Sequence, residues 1–399
     1  METHYQLIII GAGTAGIMTA AQLRKKDKTL KIALLDPSEF HYYQPAWTLV
    51  GAGTYDYKQT RRTTQSVIPK GVQWIKDKVS EIHPEQNQLT TESDKTFSYD
   101  YLIVAPGLVY DLSMVEGLER SLEAGIVCSN YINPDYTWEC LQKFKGGKAL
   151  FILPNTPIKC GGAPQKIMYL AADYFRKKGI SSSTQITYAY PGGVIFGVKE
   201  IAQTLLEVVN RYKIRLEPLH FLYKIDPDKR IAFFRKGEDT VEMPFDFLHL
   251  APPQTAPPFI KNSTLSNEAG WLDVDIHSMQ HRQYANIFGL GDVAGLPTAK
   301  TGAAIRKQAP IVVDNILKLI KGSEADNKSY TGYSSCPLVT GYGKMVLAEF
   351  NYKNEFTPDP QLKKMLISDS SKEHWRLWLL KKYMLPYLYW NKMLKGKAV

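Results

Sequence analysis

Cys160 lies in surroundings that favour a reactive sulfur. A predicted helix begins just after it, and two lysines, Lys159 and Lys166, flank it along the chain. The amides at a helix N-terminus and nearby cations both stabilise a thiolate, so we expect Cys160 to have a lowered pKa and to be nucleophilic. The competing interpretation is a buried cysteine that packs as a small apolar side chain.

A glycine-rich turn near the start of the chain predicts a second chemistry, the binding of a dinucleotide. An apolar strand over residues 6–10 leads into the G-x-G-x-x-G motif Gly11-Ala12-Gly13-Thr14-Ala15-Gly16, and a helical pattern follows. In such a motif the first glycine allows a tight bend, the second lets the backbone approach a pyrophosphate, and the third lets the helix pack on the strand. Asp36 ends the next predicted strand, where a carboxylate can accept hydrogen bonds from the adenosine ribose. A glycine-rich turn without a ligand is the alternative.

Two later segments favour FAD over NAD at this turn. Residues 101–107 and 286–292 are each predicted to form a strand that ends in small residues, and the second ends in Gly-x-Gly-Asp at Asp292. Both are similar to segments of flavoproteins with two dinucleotide-binding domains, in which the aspartate binds the ribityl chain. The next helix would begin near Thr301, and its positive end would act with Lys300 to stabilise negative charge on reduced flavin. Asp292 as a helix cap is the alternative.

The loop before Cys160 lacks the features of a second nucleotide site. It follows an apolar strand predicted over residues 148–153, and it contains Pro154 and Pro157 where a nicotinamide-binding flavoprotein has a second glycine motif. Proline has no amide hydrogen to donate to a phosphate, and the loop runs too long before its glycines. We therefore predict a Rossmann-like domain without an NAD(P) site, and an electron donor other than NADH.

These segments predict an α/β fold with two tandem Rossmann-like domains, of the type that binds FAD or NAD(P), and a C-terminal amphipathic membrane-binding region. The FAD-binding domain would comprise residues 1–110 and 285–330, the second domain residues 111–284, and the C-terminal region residues 331–399. A chain of 399 residues has room for two or three such units, and its hydrophobic content of 44% is ordinary for a folded protein.

The composition argues against several other classes of protein. The four cysteines are too few for a disulfide scaffold, and the eight histidines show no metal-ligand spacing, so we predict no metal site. The first strand is expected to begin by Leu7, which leaves no room for a signal peptide. The sequence contains no run of about 18 apolar residues, so we expect no segment that spans a bilayer. We expect the protein to be made in a reducing compartment.

The carboxyl end combines aromatic and basic residues in a pattern typical of a membrane surface. Much of the formal charge of +10 is local, because the residues after Glu373 include six lysines or arginines and no acid. Pro386 should divide residues 374–395 into two short helices, neither long enough to span a bilayer. Aromatic side chains with lysines suit the interface of an anionic bilayer, whereas a packing helix or a dimer contact is the alternative. We predict no binding to nucleic acid.

Two longer segments closely resemble sulfide:quinone oxidoreductases, in the branch that includes the mitochondrial enzymes. They are residues 154–170, PNTPIKCGGAPQKIMYL, and residues 333–350, YSSCPLVTGYGKMVLAEF. Residues 41–53 and 385–391 are also similar, so the resemblance covers nearly the whole chain. It implies a flavoprotein that oxidises hydrogen sulfide to sulfane sulfur or polysulfide and passes two electrons through FAD to a membrane quinone.

The resemblance also implies roles for individual residues. Cys160 and Cys336 would form the redox-active pair, bridged by a disulfide or by additional sulfane sulfur, with Lys166 as a further catalytic candidate. Other branches use a third cysteine upstream, for which Cys128 is a candidate, whereas Cys140 is expected in the core. The positions expected to contact FAD are Gly11, Gly13, Thr14, Ala15, Gly16, Asp36, Gln44, Val79, Ala105, Gly107, Asp292, Lys300 and Thr301. Those expected to contact the quinone are Tyr342, Phe350, Tyr383 and Tyr387.

The expected partners are hydrogen sulfide, a membrane quinone, an anionic membrane surface and a small sulfur acceptor such as sulfite, glutathione or cyanide. Assembly into a homo-oligomer is left open by the sequence. We expect a peripheral (monotopic) protein on the cytoplasmic face of the plasma membrane. Three other functions are considered: an NADH:quinone oxidoreductase-like flavoprotein, a non-catalytic redox-sensing flavoprotein, and the flavoprotein subunit of a sulfide-oxidising flavocytochrome, which would need an export signal and a haem partner. The missing second glycine motif argues against the first, and reduction of the flavin by sulfide would exclude the second.

Overall fold

A seven-stranded sheet is built from the first 104 residues and one later strand of the computed structural model, which describes residues 3–326 and 330–398. Its strands in spatial order are Val72–Ile75, Ile32–Leu35, His4–Ile10, Thr96–Val104, Gln88–Thr91 and Val79–His83, and Ile287–Gly289 pairs in parallel with the carboxyl end of Thr96–Val104. The central strands are apolar and buried, as expected for parallel strands covered on both faces. Helices Thr14–Lys26 and Gly302–Ile320 pack against each other.

A second sheet contains four parallel strands, in the order Arg215–Pro218, Thr184–Tyr190, Gly147–Ile152 and Phe247–Leu250. Helices Ala163–Lys177 and Lys199–Tyr212 connect its strands and turn their apolar sides toward the core. A separate antiparallel sheet is formed by Phe221–Asp226, Ile231–Lys236 and Asp239–Pro244. The prediction of an α/β fold with two Rossmann-like sheets is confirmed, whereas the exact domain boundaries stay a prediction.

Beyond residue 330 the chain forms a β-hairpin and a helical segment. Strands Ser334–Gly341 and Lys344–Phe350 pair antiparallel, and the first of them packs against helix Ala163–Lys177. The other short strands are Phe40–Tyr42, Arg61–Thr63, Val109–Tyr110 and Gln254–Thr255. The other short α-helices are Trp47–Val50, Thr64–Val67, Leu118–Glu123, Pro134–Lys143 and Pro258–Lys261.

Pro386 does not divide the carboxyl-terminal helical segment, so that prediction was wrong. A π-helical turn, Leu380–Met384, joins the α-helices Trp375–Leu379 and Leu385–Asn391, and the residues at the junctions keep right-handed helical dihedrals. A proline inside an α-helix removes one hydrogen bond, and its ring clashes with a carbonyl of the preceding turn. The wider π turn before Pro386 accommodates the ring, so helical backbone continues to Asn391.

The same segment is buried on one side and exposed on the other. Tyr389 and Trp390 lie in the core under the first sheet, and Leu377 and Trp378 lie in the core of the second. Five apolar or aromatic residues face outward, and we call them the exposed stripe: Trp375, Leu379, Tyr383, Met384 and Tyr387. Within residues 3–326 and 330–398, no helix is long and apolar enough to cross a membrane. The carboxyl end is therefore part of both cores, with one apolar side left uncovered.

Candidate active site

The glycine-rich turn has the close packing that its spacing predicts. Gly11 has a φ of +100°, and a Cβ there would lie 2.3 Å from the carbonyl oxygen of Ala105. A Cβ on Gly16 would lie 1.9 Å from the carbonyl oxygen of Gly11, whereas a Cβ on Gly13 would meet no atom within 4 Å. Gly11 and Gly16 are therefore needed for packing, and Gly13 leaves open space for a ligand at the start of helix Thr14–Lys26.

Asp36 lies beside this turn, directly after strand Ile32–Leu35. Its Oδ2 accepts a hydrogen bond from the Ala12 amide at 2.6 Å, and its Oδ1 accepts one from the Ser38 amide at 2.8 Å. Burial raises the pKa of Asp36, and the two amide hydrogen bonds oppose that rise. Helix Thr14–Lys26 has no side-chain cap at its N-terminus, so its first amides can bind a phosphate. This arrangement fits the pyrophosphate and ribose of FAD.

Two further segments that carry predicted FAD residues approach the same turn. Ala105 donates its backbone N–H to the carbonyl of Ile10 at 2.9 Å, next to Gly11. Gly291, just before Asp292, approaches Ala15 so closely that a Cβ on it would lie 3.2 Å from the Ala15 Cβ. Gly107 has a φ of +76° and open space beside it. Gln44 begins a 3-10 turn, Gln44–Ala46, and Val79 begins the edge strand Val79–His83.

Asp292 is a half-buried carboxylate that interacts with the charges of two half-buried lysines. Burial raises the pKa of Asp292, and the charges of Lys159 and Lys300 oppose that rise. Burial in turn lowers the pKa of each lysine to about 8, although the negative charge of Asp292 acts to raise it. The Lys300 Nζ donates to the backbone carbonyls of Asp292 and Ala294 at 2.7 and 2.9 Å.

The cap of helix Gly302–Ile320 is Thr301, whose Oγ1 accepts from the Ala304 amide at 3.1 Å. Asp292 therefore does not cap this helix, and its carboxylate is available for another partner. A polar ligand such as the ribityl chain could hydrogen-bond to that half-buried carboxylate, as the FAD prediction requires.

The sulfurs of Cys160 and Cys336 lie 3.8 Å apart, and the Lys166 Nζ lies 3.1 Å from the Cys160 Sγ. Cys160 precedes helix Ala163–Lys177, which also carries Lys166, while Cys336 is buried in strand Ser334–Gly341. A Cβ on Gly162 would lie 2.6 Å from the Cys336 Sγ, so glycine is needed there for the helix to approach the strand. The separation exceeds a disulfide bond of about 2.05 Å but needs only a small movement to form one.

The two thiols are electrostatically distinct. The pKa of Cys160 is well below its usual range, because Cys336 donates a hydrogen bond to its sulfur and Lys166 places a cation beside it, although burial opposes both effects. The same hydrogen bond, together with burial, raises the pKa of Cys336. Burial alone would lower the pKa of Lys166, but the two sulfurs outweigh it and the pKa is raised. The site therefore holds a Cys160 thiolate, a Cys336 thiol and a Lys166 ammonium.

Lys159 does not sit beside the Cys160 sulfur, although it is the adjacent residue and we expected it there. Its Nζ lies over the Tyr110 ring, 4.9 Å from the ring centroid, on the side of Asp292. The left-handed backbone of Cys160, with a φ of +85°, accompanies this divergence of the two side chains. Lys166 is therefore the cation of the thiolate, and Lys159 belongs to the Asp292 group.

Lys381 is a residue near the pair that sequence reasoning missed. It is buried, its Nζ donates to the carbonyl of Pro45 at 2.7 Å, and burial followed by repulsion from Lys166 lowers its pKa to about 7. The sequence pattern predicts it to be one of six surface cations of the carboxyl end. Its position held a signal, because it falls four residues after Leu377 and four before Leu385, on the apolar side of the helix.

Cys128 and Cys140 are neighbours of each other. The buried Cys128 Sγ donates to the carbonyl of Leu248 at 3.5 Å, and burial, followed by contact with Cys140, raises its pKa. Cys140 is half-buried on helix Pro134–Lys143, and its hydrogen bond with Cys128 lowers its pKa to about 7. A role for Cys128 in sulfur chemistry stays a prediction.

The four candidate quinone residues have different surroundings. The Tyr342 hydroxyl donates to the carbonyl of Ala52 at 2.8 Å, and its ring lies 6.4 Å from that of Trp378. Phe350 is buried and packs edge-on against Phe196. Tyr383 and Tyr387 belong to the exposed stripe. The quinone site stays a prediction, and the described residues also contain no group of three side chains placed to hold a metal ion.

Similar proteins are known. Residues 5–133 match the family described as pyridine nucleotide-disulphide oxidoreductase. A mouse protein named sulfide:quinone oxidoreductase, mitochondrial, is 43% identical over 99% of this chain and 87% of its own length. A protein of that name from Dictyostelium discoideum is 39% identical over 98% of this chain and 86% of its own length. The solved sulfide:quinone oxidoreductase of Aquifex aeolicus has a TM-score of 0.83 at 20% identity, covering 99% of this chain and 92% of that one, which shows a shared fold.

Proposed function

Because this chain belongs to the sulfide:quinone oxidoreductase family, we propose that the Cys160–Cys336 pair is the place where it oxidises sulfide. The protein is an FAD-dependent oxidoreductase with sulfide as electron donor and quinone as acceptor. The observation that carries the proposal is the 3.8 Å approach of the two sulfurs with the Lys166 Nζ 3.1 Å from one of them. Two such thiols can cycle between a reduced and a bridged state.

The unequal pKa values of the two cysteines set the direction of attack. In the oxidised pair, HS⁻ attacks the Sγ of Cys336, a new S–S bond forms there, and the bond between the two cysteines breaks. Cys160 leaves as the thiolate, because the thiol of lower pKa is the better leaving group and Lys166 stabilises its charge. Cys336 then carries a persulfide whose outer sulfur is at the sulfane level.

Transfer of that outer sulfur to a small nucleophile releases Cys336 as a thiolate. Sulfite, glutathione or cyanide is our predicted acceptor. Reforming the bond between Cys160 and Cys336 removes two electrons from the pair, which balances the oxidation of one HS⁻ to sulfane sulfur and a proton. When bound near Asp292, FAD supplies the two-electron acceptor that delivers these electrons to quinone.

Sulfide, and not NADH, is expected to reduce the flavin of the purified holoenzyme. The chain between strand Gly147–Ile152 and helix Ala163–Lys177 carries Pro154 and Pro157 and places Cys160 where a pyrophosphate would need amide donors. When sulfide at micromolar concentrations is mixed with the enzyme under anaerobic conditions, the flavin absorbance should be bleached. NADH at the same concentrations should leave the absorbance unchanged. Bleaching by NADH would favour the alternative of an NADH:quinone oxidoreductase, and no response to sulfide would favour a redox-sensing flavoprotein.

We further propose that the exposed stripe docks the protein on an anionic membrane. Quinones partition into lipid, and the stripe offers apolar side chains next to the five remaining basic residues of the carboxyl end, since Lys381 points inward. The cytoplasmic face of the plasma membrane stays our predicted location, and the relatives from mouse and Dictyostelium are named as mitochondrial. A homo-oligomer also stays a prediction.

The triple variant Leu379→Gln, Tyr383→Gln, Tyr387→Gln is expected to bind anionic liposomes at least about 100-fold more weakly. Burial of one large apolar side chain contributes roughly 1.5–3 kcal/mol, so the loss of three exceeds that factor even with partial insertion. Liposome sedimentation at physiological salt measures it. A control with Val194, Leu206 and Leu219 changed to glutamine alters three other exposed apolar residues and should bind like the parent. Equal binding of both variants would place the docking surface elsewhere.

Truncation after Glu373 is not a clean test of membrane docking. It would remove Tyr389, Trp390, Met393 and Leu394 from the core under the first sheet, and Lys381 from the neighbourhood of the cysteines. Weaker liposome binding by the truncated protein would therefore not separate loss of docking from loss of the folded core. Substitution of exposed side chains leaves these contacts intact.

A further inference from the structure

Tyr389 connects the carboxyl-terminal helix to the glycine-rich turn, across 375 residues of sequence. Its hydroxyl lies 2.8 Å from the Thr14 Oγ1 and 2.5 Å from the His41 Nε2. The His41 Nδ1 in turn lies 2.8 Å from the carbonyl oxygen of Ala12. Three side chains from distant parts of the chain thus form one buried hydrogen-bonded row that begins and ends on the turn.

The direction of each hydrogen bond in this row is determined. A carbonyl oxygen only accepts, so the His41 Nδ1 carries a proton and donates it to Ala12. Burial lowers the pKa of His41 to about 4, so the ring is neutral at pH 7 and its Nε2 accepts. The Tyr389 hydroxyl therefore donates to His41 and accepts from the Thr14 hydroxyl. With a neutral His41 ring, no other assignment satisfies all three contacts.

This row, together with Asp36, holds the backbone of Ala12 within the turn. The N–H of Ala12 is held by Asp36 at 2.6 Å, and its carbonyl is held by His41 on the far side. The hydrogen bond from His41 engages a carbonyl that would repel a negatively charged pyrophosphate if it turned toward the open space beside Gly13. The uncapped amides at the start of helix Thr14–Lys26 keep their orientation toward that space.

The Tyr389 ring has little freedom to move. Its centroid lies 4.6 Å from that of Tyr43 and 5.9 Å from that of His41, with which it stacks. The next residue, Trp390, packs edge-on against it and lies under the guanidinium of Arg62 at 4.4 Å. The hydroxyl is therefore held in place by a rigid aromatic cluster and not by its hydrogen bonds alone.

We propose that Tyr389 is a positioning residue for FAD. Tyr389 acts through His41 and Thr14 to fix the turn that would bind the pyrophosphate. The carboxyl-terminal helix then serves FAD retention in addition to its outward-facing apolar stripe. The inference rests on the FAD assignment and is independent of sulfide as electron donor. Its failure would leave the cysteine chemistry untouched.

The test is the affinity of deflavinated protein for FAD, followed by quenching of flavin fluorescence. Tyr389→Phe keeps the ring and removes only the hydroxyl, and it is expected to raise the Kd for FAD about 10-fold. Tyr387→Phe, on the exposed side of the same helix, is the matched control and should keep the parental Kd. A Kd within twofold of the parent for Tyr389→Phe would overturn the proposal.

A double-mutant cycle separates positioning of the turn from general stability. Thr14→Val removes the other end of the same hydrogen bond, so Tyr389→Phe and Thr14→Val together should raise the Kd no more than the larger single effect. The melting temperature of the FAD-free protein should change by the same small amount in all three variants. Additive effects on the Kd, or a fall in melting temperature that accounts for the weaker binding, would show a structural role only.

Discussion

Replacement of Cys160 by serine is expected to lower sulfide-dependent quinone reduction at least about 10³-fold while FAD stays bound. The serine hydroxyl cannot form the bridged state with Cys336. The pKa of a serine hydroxyl is also so high that Lys166 cannot keep it ionised. The residues predicted to contact FAD lie on the glycine-rich turn and around Asp292, so the visible flavin spectrum should persist. Steady-state reduction of a short-chain quinone, with the flavin content measured on the same sample, gives both values.

The other cysteines provide the controls for this prediction. Cys336→Ser should show a loss of similar size, and the double variant should be no worse than either single one, because the two sulfurs act as a unit. Cys140→Ser should retain nearly full activity, since that thiol lies beside Cys128 and on a different helix from Lys166. More than a tenth of parental activity in either Cys160→Ser or Cys336→Ser would remove the pair from the mechanism.

The Lys166→Met variant is expected to turn over sulfide about 100-fold more slowly at pH 7, with partial recovery at higher pH. Methionine has a similar length without the charge, so the pKa of Cys160 rises when the ammonium 3.1 Å away is removed. Cys160 is a thiolate at any pH above its lowered pKa, and it becomes protonated as the pH falls through that value. Raising the pKa therefore moves the acid limb of the pH–rate profile to higher pH.

The pH dependence distinguishes this electrostatic role from loss of structure. Lys178→Met, at the C-terminal end of the same helix, is the control, because Lys178 contacts only the carbonyls of Gln142 and Phe144 among its described hydrogen bonds. It should leave the acid limb unmoved. A pH-independent loss of activity in Lys166→Met would show that the lysine does not act through the Cys160 thiolate.

The glycine-rich turn could be predicted from the sequence because its parts are contiguous. Strand, glycines, helix, second strand and Asp36 follow one another within 36 residues, and each has a conformational requirement that only a few residue types meet. The start of the later helix at Thr301 was also predicted correctly, since the side chain that caps it is adjacent in sequence.

The composition of the cysteine site could not be derived in the same way. Cys160 and Cys336 are 176 residues apart, and their pairing came from a family resemblance and not from the residues themselves. Lys381 was assigned to the surface because a basic, aromatic segment suits a membrane, yet tertiary packing turns that lysine inward. Lys159 was assigned to Cys160 because it is adjacent, yet the backbone between them directs it to Asp292. Long-range packing decides all three cases.

The first sheet is also completed late during synthesis. Strand Ile287–Gly289 fills a gap beside Thr96–Val104, and Met393 and Leu394 close the core near helix Thr14–Lys26. A ribosome that adds about 5–20 residues per second needs roughly 15–60 s to pass from residue 110 to residue 396. During that time the nascent chain exposes an unpaired strand edge and an apolar helix face, which are surfaces that chaperones bind. The first sheet and its core are thus completed only when nearly the whole chain has been made.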